Sequence, residues 1–106
     1  MSASAFTLHV PDEPVGLAGT WLSQVADGAG FADVLAGNGG LTDWLWRRWS
    51  FLTSSGMTRD LFSEIVLGYQ RELWLWLVGE RTWTQACSGL TGRLARRMAL
   101  LAAPVG

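Results

Sequence analysis

Apolar residues return at three- and four-residue intervals through most of this chain, and the opening segment follows a different rhythm. Phe6-Thr7-Leu8-His9-Val10 alternates apolar and polar before Pro11, the pattern of a short strand or an extended arm. Backbone groups in such a segment need partners, which a second copy, a groove on the same domain or water can supply. Beyond Pro14, Leu17, Trp21, Leu22 and Val25 fall at helical spacing and predict a helix over 17–26. Glycines at 28, 30, 37, 39 and 40 then frame Phe31 to Ala36, enough for a turn or two of helix within a Gly-rich connector.

The next helix is expected over 42–53, with Thr42 as its cap, Asp43 in its first turn and Leu45, Trp49 and Leu52 on one stripe. Thr58 caps a longer helix running to Val78, stopped by Gly79, with Phe62, Ile65, Tyr69, Leu73 and Trp76 as its core stripe. Thr82 and Gln85 match a capping box, so the last helix starts near Trp83 and runs to about Leu101 along Trp83, Cys87, Leu90, Leu94 and Met98. Gly89 and Gly92 mark either close packing or a break of that helix into two.

The fold expected is therefore all-α: a small bundle of four main helices with a short Gly-rich connector. An N-terminal arm over 1–15 precedes a single helical domain over 16–103. The competing architecture is α+β, with a short strand at 5–10 paired to Leu73–Val78, where six apolar residues follow one another.

Composition adds a problem of coverage. The chain has 106 residues, 49% hydrophobic and 16% charged, and seven of them are tryptophan. A domain of this length buries roughly 65% of its unfolded surface, so it has little interior in which to place so many indoles. Trp44, Trp46 and Trp49 surround one helix, while Trp74 and Trp76 point about 200 degrees apart and cannot enter the same core. Trp44, Trp46, Trp49 and Trp74, with Leu67 and Val78 beside the last, are thus the expected protein interface. Trp44 and Arg48, four apart, are placed for a cation-π pair.

Net charge is −1, but it is unevenly spread. Residues 1–43 carry five acids and no Arg or Lys; after Glu80 the chain carries Arg81, Arg93, Arg96 and Arg97 and no acid. Arg93, Arg96 and Arg97 are the expected nucleic-acid residues if 82–101 folds as a helix-turn-helix bent at Thr91-Gly92.

The chemistry of catalysis finds little to work with. One cysteine, Cys87, and one histidine, His9, allow neither an internal disulfide nor a Cys/His zinc site. Lysine is absent, which excludes the standard phosphate-binding loop, and Gly28-Ala29-Gly30 lacks the third glycine of a dinucleotide fingerprint. Asp12 and Glu13 are the one close pair of carboxylates, adjacent and not convergent. The expectation is a non-enzymatic interaction protein without metal or cofactor, forming a homo-oligomer or part of a hetero-complex. A DNA-binding regulator and a helical pocket for an apolar small molecule are the alternatives. No stretch of 18 residues is free of charge, so no transmembrane segment is expected, and without a basic-then-apolar opening the default compartment is the cytoplasm.

Overall fold

The computed structural model describes residues 8–102, apart from the side chains of residues 50 and 51. Those residues are all-helical, with no strand among them: α1 (Val15–Ala26), α2 (Phe31–Ala36), α3 (Leu41–Arg48), a 3-10 turn (Ser50–Ser55), α4 (Arg59–Leu67), α5 (Gln70–Leu77) and α6 (Trp83–Ala102). Residues 8–10 belong to no helix or strand, and the remainder of the proposed strand at 5–10 lies outside the described residues. Leu73–Val78, its proposed partner, belongs to α5 and the residue that ends it.

Local chemistry explains where α4 and α6 start and where α5 stops. Thr58 caps α4 by accepting the Leu61 N–H at 3.1 Å. The capping box before α6 is reciprocal: Thr82 Oγ1 accepts from Gln85 N at 3.1 Å, and Gln85 Oε1 accepts from Thr82 N at 2.9 Å. Gly79, at φ 86°, closes α5 in the left-handed conformation.

Both ends of α3 differ from what the sequence predicts. Thr42 is not a cap: α3 begins one residue earlier, after Gly40, and Thr42 is fully buried, its Oγ1 without a hydrogen-bond partner among the described residues. Gly40 takes the capping position because a Cβ there would lie 2.1 Å from the Val34 carbonyl oxygen, and Asp43 accepts the Gly39 N–H at 2.9 Å instead. The helix expected over 42–53 gives way after Arg48, where Trp49 leaves helical geometry (φ −110°, ψ 39°) and the 3-10 turn begins.

The helix expected over 58–78 is two. Gly68 ends α4, and Tyr69 (φ −113°, ψ 18°) turns the chain, its N–H bonded to Val66 in a tighter 2.9 Å return. Conversely, α6 is continuous through Gly89 and Gly92, so the turn at Thr91-Gly92 that a helix-turn-helix needs is absent. Ser88 and Thr91 each return their hydroxyl to a carbonyl three residues earlier, at 3.1 and 3.0 Å.

Helix α6 forms one side of the core, against α4, α5 and the 3-10 turn, and α2 touches α1, α3, α4 and α5. Trp83, Cys87, Leu90, Leu94 and Met98 are buried along α6, meeting Phe62 and Val66 of α4 and Leu73 of α5 in one apolar cluster. The packing of Gly89 is tight: a Cβ there would come within 2.7 Å of the Tyr69 ring.

Candidate functional site

The tryptophans are spent largely on the inside. Trp21, Trp49, Trp76 and Trp83 are buried, and each gives its indole N–H to an acceptor far away in sequence. Trp21 donates to Gly39 O at 3.1 Å. The other three hold the arm: Trp49 donates to His9 O at 3.2 Å, Trp83 to Pro11 O at 2.7 Å and Trp76 to Glu13 Oε2 at 2.8 Å. The acceptors are two backbone carbonyls, of His9 and Pro11, and the side-chain carboxylate of Glu13. Leu8, buried at the start of the described arm, anchors it against the core.

This arrangement corrects the proposed interface at Trp49, which is 3% exposed and faces the interior. The remaining indoles are half-buried and engaged. Trp44 stacks under the Arg48 guanidinium, 3.7 Å from its ring centroid, and meets Trp83 edge-on at 6.0 Å. Trp46 lies 5.0 Å from Phe62, and Trp74 lies 5.3 Å from Phe31. Leu67 is half-buried, and of the six proposed residues Val78 alone is exposed.

Exposed apolar and cationic groups meet elsewhere, on the outer side of α6. Arg93, Arg96, Arg97 and Leu100 stand at i, i+3, i+4 and i+7 and so share one face. Leu100 is 71% exposed, the largest value among the exposed large hydrophobic residues. Ion pairs among the described residues join Arg59 to Asp43 and Arg81 to Glu72; none engages Arg93, Arg96 or Arg97.

Between this face and α4 runs an open groove of about 340 Å³, lined by Leu61, Glu64, Ile65, Tyr69, Arg93 and Arg97, with Gly68 at its end. The break at Gly68-Tyr69 and the missing side chain of Gly89 together seat the Tyr69 ring against α6. Sequence reading had singled out the arginines but not this groove. The groove depends on the helix break, and Gly68 was the one available signal for it.

The groups considered for catalysis remain apart in character. Cys87 is buried, and burial pushes its thiol up to about 12, while His9 is exposed on the arm. Gly28 to Gly30 form an exposed turn between α1 and the six-residue α2, preceded by a helix and not by a strand. Among the described residues no three His, Cys, Asp or Glu side chains gather as metal ligands, and no helix is long and apolar enough to cross a membrane. Comparison with protein-family models, curated proteins and solved structures returned no match.

Proposed function

We propose that this chain is a non-enzymatic helical interaction protein that docks on another protein through the outer face of α6. The observation that carries the reading is the stripe Arg93, Arg96, Arg97 and Leu100: three guanidinium groups without an ion-pair partner among the described residues, beside an exposed leucine. Arginine combines a planar multidentate donor set with an apolar stem, which suits it to the centre of an interface. Covering Leu100 fully is worth about 1.5 to 3 kcal/mol, comparable to a strong single contribution at an interface.

The stripe thus takes the place of the tryptophan surface in this reading. It also carries the alternative of nucleic-acid binding, without the helix-turn-helix geometry that the sequence had suggested. Glu64 at the groove and the overall charge of −1 weigh toward a protein.

The test is site-specific photocrosslinking in the producing cell, with the crosslinking residue at position 100 or, as control, at exposed position 84. A protein adduct specific to position 100, and lost when Arg93, Arg96 and Arg97 become Ala, is expected. Adducts to nucleic acid alone, or equal yields at both positions, would overturn the proposal. Light scattering after size exclusion, across a concentration series, separates self-association from a different partner.

A further inference from the structure

We infer that the groove between α4 and α6 receives an acidic amphipathic helix of a partner protein, its carboxylates over Arg93 and Arg97 and its apolar side chains on Leu61 and Ile65. The inference rests on the proposed interaction role and specifies the chemistry of what is bound. Half-buried Leu61 and the edge of the core residue Ile65, 6% exposed, stand on successive turns of α4 and give the groove a narrow apolar floor, while Arg93 and Arg97, on successive turns of α6, give it a cationic rim. That pairing of an apolar strip with a charged strip is what a helix with one apolar face and acidic flanks complements.

Charge sets the orientation as well as the class. Glu64, exposed on the α4 side, has no ion-pair partner among the described residues, so a partner carboxylate is repelled there and a partner Lys or Arg is welcome. The acidic flank must therefore lie toward α6. Tyr69 adds a neutral donor: its ring is held against Gly89, and its hydroxyl makes no hydrogen bond to a described residue. The floor from Leu61 to Gly68 spans about 10 Å, roughly two helical turns, which fits a short helical contact. A nucleic acid fits less well, since it would bring phosphates to both walls, including the one that carries Glu64.

The proposal can be tested with a displayed library of random 16-residue segments, selected on the full chain and then measured as synthetic peptides by fluorescence anisotropy. Enriched segments should be net negative with apolar residues three and four apart. Their affinity should fall at least tenfold in the double variant Arg93→Glu/Arg97→Glu and stay within twofold in Arg47→Glu/Arg71→Glu, which makes the same charge change elsewhere. Glu64→Lys should tighten binding several-fold, a gain that misfolding does not produce, and circular dichroism checks that each variant keeps its helices.

Neutral or basic enriched segments, or undiminished binding by Arg93→Glu/Arg97→Glu, would overturn the inference. So would tighter binding of a 20-base-pair duplex than of any acidic segment. Segments that bind through another face, or the absence of any enriched segment, would remove the groove, while the interaction role stands or falls separately on the crosslinking at position 100.

Discussion

Trp83 and Pro11 stand 72 residues apart, and the indole Nε1 of the first donates a hydrogen bond of 2.7 Å to the carbonyl oxygen of the second. With the bonds from Trp49 to His9 and from Trp76 to Glu13, it ties residues 9–13 to the helices. The tryptophans serve two needs at once: their rings fill the core, and the N–H groups of Trp49 and Trp83 satisfy backbone carbonyls of a segment with no strand to pair with, while that of Trp76 holds the Glu13 carboxylate. Trp76 and Trp83 also support each other, with ring centroids 4.7 Å apart.

Substituting these indoles separately should give unequal costs. Trp83→Phe keeps a ring but strips the donor from the half-buried Pro11 carbonyl, and an orphaned buried acceptor costs about 1 to 3 kcal/mol. Trp76→Phe releases the carboxylate of exposed Glu13, which water can solvate, so its hydrogen-bond loss should lie near the lower end of that range. Urea denaturation should therefore show a lower midpoint for Trp83→Phe than for Trp76→Phe, with similar slopes. The reverse order would mean that ring packing and not the arm contact dominates at these positions.

Gly89 and Gly92 lie one turn apart in α6 and should respond oppositely to alanine. At Gly92 nothing lies within 4 Å of an added Cβ, so Gly92→Ala should stabilise by up to about 1 kcal/mol through helix propensity. At Gly89 the new methyl meets the Tyr69 ring at 2.7 Å, and displacing that ring should outweigh the gain, leaving a net loss of about 1 to 2 kcal/mol. A double-mutant cycle with Tyr69→Ala identifies the cause: in that background Gly89→Ala should become neutral or stabilising. An unchanged penalty would place the clash elsewhere.

The same glycines show what the sequence made legible. Caps located the starts of α4 and α6 closely, because Thr58, Thr82 and Gln85 act on neighbours within three residues, and periodicity located the end of α1 at Ala26. The Arg48 to Trp44 cation-π contact was equally local. Breaks that depend on distant atoms were not legible: the turn at Gly68-Tyr69 sits against Gly89 of α6, and Gly40 starts α3 because the Val34 carbonyl leaves no room for a Cβ. The burial of Trp49 was hidden for the same reason. Helical spacing shows which way Trp49 points but not that the arm arrives to cover it, 40 residues away. Arg93, Arg96 and Arg97 were visible as a cluster, but the groove beside them needed the fold.

Cys87 should be silent toward alkylation in the folded protein. Its burial raises the thiol to about 12, so the nucleophilic thiolate is scarce at neutral pH and the side chain is also inaccessible. Iodoacetamide at pH 8 should add no mass to the native chain and one adduct in urea, as read by intact mass spectrometry. The raised value makes stability fully present below the unfolded thiol value of about 8.5 and lost progressively as pH rises from there toward about 12. Cys87→Ala should flatten that alkaline decline while lowering stability overall through the lost packing. Rapid native alkylation would show that α6 opens locally far more often than its buried face implies.

Asp43 should govern part of the acid response. The hydrogen bond from Arg59, then that from the Gly39 N–H, holds its carboxyl below the usual carboxylate value, against a smaller opposing effect of burial. A depressed folded value contributes stability above the unfolded value of about 3.9, and that contribution is lost as pH falls through the folded value. Asp43→Asn removes the charge but leaves an acceptor for Gly39. Its stability should therefore lie below that of the unsubstituted chain at pH 7, with the gap narrowing below about pH 4 as the native carboxylate protonates. Added salt should narrow the gap at pH 7 as well, because both partners are partly exposed and the pair is screened. Urea unfolding at stepped pH values measures the gap directly. A gap constant from pH 7 to pH 2 would mean that Asp43 acts through its shape and its acceptor at the start of α3, with its charge contributing nothing.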